Sequence, residues 1–363
     1  MSGVIHYPQP GEAAIVLATA RSLMDLTAKD DQRAAANLLG NGFLRRRQGL
    51  LLPGATGIGK SSLTMQAAIL WSLARDFFGI KPQGELRSLI VQAENDDIDL
   101  VEMRDGICNG LELNPEERTA VGKNVSVLTT SDRGAKLFER LETELARQPI
   151  DLLILDPLLA YIEGAVKDQE DVSFFLRVLM QPFLVKHDCG AIVAHHTNKP
   201  ASGKEKTGWQ HGDHAYAGSG SIEFANWARA VVFLRSIGLP DVFELMLPKR
   251  GKRAGICDAG GSPVNSIHVR HSRKPGAIFW ELADANDSKP VAPNRDTADL
   301  FRAFFGSVKD SQGSVAVAVL AKKLSVSEKT VRRRFPKPLC RLAHEGETLE
   351  LGGGKVSQIE GES

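Results

Sequence analysis

Gly54-Ala55-Thr56-Gly57-Ile58-Gly59-Lys60-Ser61 is the stretch that decides how this chain is read. It fits G-x-x-x-x-G-K-[ST], the phosphate-binding P-loop, without a mismatch. Gly49-Leu50-Leu51-Leu52-Pro53 before it predicts a short buried strand, and Ser62 to Ala74 after it has the composition of a helix. Phosphate binding needs that context. Glycines let backbone N–H groups turn inward around phosphate oxygens, and the helix N-terminus adds its positive end. The expected nucleotide-binding residues are therefore Gly54, Ala55, Thr56, Gly57, Ile58, Gly59, Lys60, Ser61 and Ser62. With ATP and Mg²⁺ as cofactors, Lys60 would reach the β- and γ-phosphates and Ser61 would hold the metal.

The 363 residues predict one large domain and one small one. An apolar fraction of 42% is enough for a substantial core. A net charge of +1 gives no global sign of nucleic-acid binding, so any such surface is local. The four cysteines (Cys108, Cys189, Cys257 and Cys340) are far apart and form no C-x-x-C pair, which suggests a reduced compartment. The first residues show no basic region followed by an apolar one, and no apolar run approaches a membrane span of roughly 20 residues. The expectation is a soluble, cytoplasmic chain with no membrane partner.

From residue 42 to 284 strand and helix patterns alternate, which predicts an α/β domain with a largely parallel sheet. Strands are expected at 49–53, 88–93, 124–128, 151–155 and 191–195, with helices at 60–75, 98–110, 135–147 and 171–187. Segments 229–235, 241–247 and 277–282 read as further strands that extend the sheet in antiparallel fashion. Residues 1–41 read as a helical arm, with apolar residues at helical spacing between Ala13 and Leu26 and a second short helix from Ala34 to Leu39, that either caps the domain or packs on a neighbouring subunit. Residues 285–295, with Asp-Ser-Lys-Pro and Ala-Pro-Asn nearby, mark a linker. Residues 296–363 read as a small winged-helix-like domain. Its parts are a helix at Thr297–Gly306, a helix-turn-helix of Val315–Leu324 and Glu328–Phe335, and a hairpin in Leu349–Val356.

Three apolar strands end in polar residues. Leu152-Leu153-Ile154-Leu155-Asp156 is a Walker B pattern that carries Asp156 to the sheet edge, where it would hold Mg²⁺. Ser88 to Gln92 leads into Ala93-Glu94-Asn95-Asp96. Glu94 would lie near the γ-phosphate if this strand adjoins the P-loop strand, and would there orient or deprotonate the attacking water. Asp96 and Asp97 compete for that role, with Asp97 favoured as a helix cap. Ala191-Ile192-Val193-Ala194 ends in His195-His196, one of which would sense the γ-phosphate; His195 is the assigned candidate. Cys189, His195, His196, His211 and His214 lie close in sequence, but their spacing fits no standard zinc pattern.

With these motifs in order, the chain resembles the RecA-like hexameric ATPases. Its nearest likeness is to plasmid replicative helicases of the RepA type, with the DnaB-type motor domain more distant. Further matching segments are Val193 to Lys199, Ser219 to Arg229, and Leu247-Pro248-Lys249-Arg250-Gly251-Lys252-Arg253-Ala254-Gly255. The resemblance spans residues 42–283. It implies a ring of six with nucleotide at the subunit interfaces and an arginine finger supplied by a neighbour. Arg229 fits the finger of the RepA type, and Lys249 and Arg250 fit the trans residues of the DnaB type. The segment Thr197–Gly218 would be a DNA-facing loop, with Lys199, Lys204 and Lys206 for phosphates and Trp209 for stacking on bases. The chain departs from the family in having only a short arm before the motor and an apparent winged helix after it.

The run Lys329-Thr330-Val331-Arg332-Arg333-Arg334 falls on the second helix of the helix-turn-helix, where either DNA contact or protein contact fits. The resulting expectation is an ATP-hydrolysing, ring-forming motor on single-stranded DNA, of the replicative-helicase kind. Two rivals remain: a DNA-binding loading factor that uses ATP as an assembly switch, and a recombinase-like filament protein.

Overall fold

The strands that carry the motifs are apolar at almost every position because both faces of their sheet are covered. The computed structural model describes residues 20, 22–27, 29–164, 169–197, 222–237, 241–258, 260–274 and 278–283. It also describes 314–316, 322, 340–342 and 348–351. The chain divides into two units, Met1–Ala283 and Asp284–Ser363.

The described residues of the first unit open with α1 (Asp30–Ala36) and a short antiparallel hairpin, β1 (Asn37–Leu39) and β2 (Leu44–Arg45). The helix expected over Ala34–Leu39 thus ends at Ala36. The Asn37 amide closes the turn instead, donating to the Gly40 carbonyl and accepting from the Gly42 N–H, with both glycines at positive φ. The P-loop unit follows: β3 (Gly49–Gly54) and α2 (Lys60–Ser72). Next come β4 (Ser88–Gln92), α3 (Asp97–Gly110), α4 (Pro115–Asn124), β5 (Val125–Thr129), α5 (Gly134–Arg147) and β6 (Leu152–Asp156). A continuous helical stretch then runs through α6 (Gln169–Ser173), a π-helical segment (Phe174–Met180) and α7 (Gln181–Lys186). The unit closes with β7 (Gly190–His196), α8 (Glu223–Trp227), β8 (Ala230–Ser236), β9 (Val242–Lys249), β10 (Ser266–His271) and β11 (Trp280–Leu282).

Among the described residues these strands make a nine-stranded sheet in the order β11-β10-β9-β8-β3-β7-β6-β4-β5. From β8 to β5 all neighbours are parallel, and β9, β10 and β11 add antiparallel strands at one side. The sequence predicts this α/β class with its mostly parallel sheet. It misses β10 and α4, although Asn114-Pro115-Glu116-Glu117 carries an N-cap, a proline in the first turn and a capping box.

Side-chain alternation splits the core in two. Leu50, Leu52, Ile90, Leu152, Ile154 and Ile192 pack with α2 and α3 on one face. Leu51, Leu89, Val91, Leu153, Leu155, Ala191 and Val193 pack with α5 and the π-helical segment on the other. At the amino-terminal edge a buried carboxylate ties three segments together. Asp151 accepts from Arg46 Nη2 at 2.7 Å, from Arg87 Nε at 3.2 Å and from the Arg87 N–H at 2.9 Å.

The second unit contains, among its described residues, β12 (Ser314–Ala316), β13 (Cys340–Leu342) and β14 (Thr348–Leu351), an antiparallel sheet ordered β12-β14-β13. Val315 and Ala316 are therefore in a strand and not at the start of a helix. Leu349 pairs with Leu342 of β13 and Val315 of β12, and the rest of the expected hairpin, 352–356, lies outside the described residues. The helices expected at Thr297–Gly306 and Glu328–Phe335, with the basic run Lys329–Arg334, lie outside the described residues.

Candidate active site

The P-loop follows the carboxyl end of β3. Gly57 (φ 73°) and Gly59 (φ 92°) both adopt left-handed backbone, which bends Gly54–Gly59 into a cradle before α2 begins at Lys60. Gly59 is the N-cap of α2, and the N–H of Leu63 is returned to its carbonyl, so the N–H groups of the first turn remain for a ligand. Lys60 is 5% exposed, and its Nζ donates to the carbonyls of Gly54 (3.0 Å) and Ala55 (2.9 Å). Burial lowers its pKa, and the fields of Asp156 and Glu94 work against that.

Strand order brings the acids to the same edge by an unexpected route. β4 does not adjoin β3; β7 and β6 lie between them. Asp156 ends β6, 3% exposed, and accepts a hydrogen bond from Gln92 Nε2 at 3.1 Å. Asn95 Nδ2 in turn donates to Gln92 Oε1 at 2.8 Å, so a buried amide chain fixes the carboxylate. Glu94 lies just beyond β4, with its side chain 61% exposed. Asp96, not Asp97, caps α3, accepting from the Asp99 N–H at 2.9 Å, while Glu94 comes within 3.8 Å of His196 beside the loop.

His196, and not His195, joins these groups. His196 Nδ1 stands 3.2 Å from Lys60 Nζ and 3.3 Å from Thr56 Oγ1, and its Nε2 lies 3.8 Å from Glu94 Oε1. If Nδ1 accepts from the ammonium, the ring proton sits on Nε2, toward Glu94. His195 is fully buried on the opposite face, its ring 4.2 Å from that of Phe224. Alternation along β7 puts His195 with Ala191 and Val193, and His196 with Ile192 on the face of α2.

The antiparallel strands supply contacts that no motif announces. Trp280 Nε1 donates to Ser62 Oγ at 3.0 Å, and the Trp280 backbone exchanges two hydrogen bonds with the Gln66 amide, at 2.6 and 2.8 Å. Ser62 Oγ also donates to the Gly59 carbonyl, so this hydroxyl is engaged within the protein and Ser62 offers a phosphate its backbone N–H. The His271 ring packs on Trp280 with centroids 3.9 Å apart. Burial lowers the His271 pKa, opposed by Asp241 and by a hydrogen bond to the Ile58 backbone. Tyr161, also fully buried, has its pKa raised by burial and by the fields of Asp156 and Glu94.

Arg229 is elsewhere. Its N–H donates to the Gly49 carbonyl, at the start of β3, roughly 17 Å of strand away from the P-loop. Lys249 and Arg250 stand at that same amino-terminal edge. Lys249 Nζ donates to the carbonyls of Ala225 (2.9 Å) and Ala228 (2.6 Å) at the end of α8, and Arg250 Nη1 donates to Gln48 Oε1 at 2.8 Å. Burial lowers the pKa of both. Arg229 and Arg250 add to the effect on Lys249, and Arg253, Arg229 and Arg45 to that on Arg250. The loop lysines, with Trp209, lie outside the described residues. Among the described residues no helix is long and apolar enough to cross a membrane.

The donor set suits a Mg²⁺-nucleotide. It comprises a glycine cradle at a helix N-terminus, a buried lysine, the serine after it, and a buried carboxylate held by an amide. Curated proteins offer no match to the chain. The crystal structure of the RadB recombinase is similar, with a TM-score of 0.42 and 14% identity over 66% of this chain and 92% of that one. Residues 18–202, just over half of the chain, match the AAA domain family, and the match contains the P-loop, Glu94, Asp156 and His196. On that match the chain belongs to the AAA domain family, with the phosphate cradle, lysine and acidic strand end of a P-loop ATPase.

Proposed function

We propose that the chain is an ATP-hydrolysing motor that assembles head to tail into a ring and moves on single-stranded DNA, as a RecA-like helicase of the replicative type. The observation that carries this reading is the separation of Arg229 from its own P-loop. A cation at the amino-terminal edge of the sheet cannot serve the nucleotide at the carboxyl edge of the same subunit. A heterologous contact repeated around a closed ring presents it to a neighbour's P-loop. Of the three finger candidates, Lys249 closes α8 and Arg250 holds Gln48, whereas Arg229 is exposed and its side chain has no hydrogen bond or ion pair with the described residues. That favours Arg229.

Lys60 and the P-loop N–H groups bind the β- and γ-phosphates, and Ser61 and Asp156 hold Mg²⁺. The metal, when bound, neutralises charge on the phosphoryl oxygens. Gln92 keeps Asp156 oriented. Glu94 takes the proton of the attacking water, and His196, between Lys60 and Glu94, registers the charge at the γ-phosphate. A second role for the C-terminal unit, contact with duplex DNA, rests on its basic run alone.

The test is complementation. Arg229→Ala should bind ATP yet hydrolyse it about 10³-fold more slowly. Mixing it with Lys60→Ala should restore part of the activity, because some interfaces then pair an intact P-loop with an intact Arg229. Mixed oligomers that form and stay inactive refute a trans-acting Arg229. Strand displacement by the wild-type protein separates a motor from an assembly switch, which would assemble with ATP and displace nothing.

A further inference from the structure

At the amino-terminal edge of the sheet, the β1–β2 hairpin and the segment around Lys81 line an open cavity of about 530 Å³. Among the described residues its charged lining consists of Arg33 on α1, Arg45 on β2 and Lys81, with no carboxylate. Asn37, Asn41 and Gln83 add amides, and no described residue of the lining carries an aromatic ring. None of the three cations has a side-chain hydrogen bond or ion pair with the described residues. Arg45 Nε is shielded from solvent and has no hydrogen-bond partner among the described residues. Its guanidinium lies over Gly42, where a Cβ would come within 2.8 Å of Nη2.

An anion would relieve this arrangement. Arg33 and Lys81 are exposed and Arg45 is half-buried, so the desolvation cost of an unpaired donor falls on Arg45 Nε alone, and like charges close together add repulsion. Arg250 and Arg253, just outside the cavity, strengthen the positive field, and Arg45 contributes to depressing the pKa of Arg250. The volume is that of a small-molecule site. With cations and amides but no ring to stack on, the lining reads phosphate and not a base.

We propose that this cavity is a second anion site, separate from the P-loop, that binds the phosphate groups of a small phosphorylated molecule through Arg33, Arg45 and Lys81. The phosphates come either from a ligand free in solution or from nucleotide held by an adjoining subunit. The assignment does not depend on the chain being a motor.

Calorimetric titration of the full-length protein with inorganic tripolyphosphate, without Mg²⁺, tests the site. Wild type should show two binding events per chain, one of which survives in Lys60→Ala. Arg45→Gln and Lys81→Gln should each weaken the surviving event at least tenfold, as expected for loss of a charge-assisted contact. Lys81 is exposed, so its variant tests the site even if Arg45→Gln disturbs the hairpin. Pre-loading wild type with ATP separates the sources. An undiminished event marks a free ligand, and one lost in step with oligomer formation marks a neighbour's phosphates. A single event that disappears entirely in Lys60→Ala overturns the proposal, as does a second event indifferent to both charge substitutions. Either result leaves the Arg229 complementation test standing on its own.

Discussion

Gly59→Ala and Gly57→Ala form a matched pair whose difference measures the packing of the antiparallel strands on the P-loop. Both positions have left-handed backbone, at φ 92° and 73°, so alanine costs roughly 1–2 kcal/mol of strain at either. A Cβ on Gly57 meets nothing among the described residues within 4 Å. A Cβ on Gly59 would fall 2.7 Å from Trp280 Cζ2 and 2.8 Å from His271 Cε1. Trp280 cannot easily yield: it is 1% exposed and tied to Ser62 and Gln66 by three hydrogen bonds. Overpacking of this kind costs about 1–3 kcal/mol. The expected totals are roughly 1–2 kcal/mol for Gly57→Ala and roughly 2–5 kcal/mol for Gly59→Ala. Urea unfolding followed by tryptophan fluorescence reads both. Equal destabilisation by the two substitutions would refute the packing of Trp280 and His271 on the loop.

The two histidines should separate cleanly. His196→Ala should cut hydrolysis by about 10²-fold with little change in the urea midpoint, because its side chain serves Lys60 and Glu94. His195→Ala should instead lower stability by about 2–5 kcal/mol, as a truncation in the core against Phe224; the reverse pattern would invalidate the assigned faces of β7. Asp151 carries a pH dependence. Burial pushes its carboxyl up, but the Arg87 N–H and the Arg46 and Arg87 guanidinium groups outweigh this and hold it below the ordinary carboxylate range. Its stabilisation is therefore complete above the unfolded-state value of about 4 and is lost as pH falls through the lower folded value. Asp151→Asn should cost about 3–5 kcal/mol at pH 7 and flatten the acid limb of the stability curve; an unchanged limb in acid titrations would assign that limb to other carboxylates.

Local signals in the sequence were enough for the P-loop, the acid-ended strands and the α/β class. A strand covered on both faces appears as a continuous apolar run, and a glycine-rich turn followed by Lys-Ser needs only its own backbone. The same double coverage hid which histidine faces the nucleotide. With apolar residues on both sides of β7, no amphipathic contrast tells one face from the other, and only the pairing of Gly54 with His196 beside the loop decides it. Lateral strand order was equally beyond the sequence. Glu94 reaches the site across β6 and β7, not from a strand beside β3, and Gln92 orients Asp156 because β4 and β6 align Gln92 with Asp156. Trp280, 218 residues after Ser62, locks the helix of the P-loop, and Arg33, Arg45 and Lys81 meet in one cavity from three separate segments. These contacts arise when distant segments are brought together by burial of the core. Chain propensity specified the pieces of the site, and tertiary packing specified which side chains face one another within it.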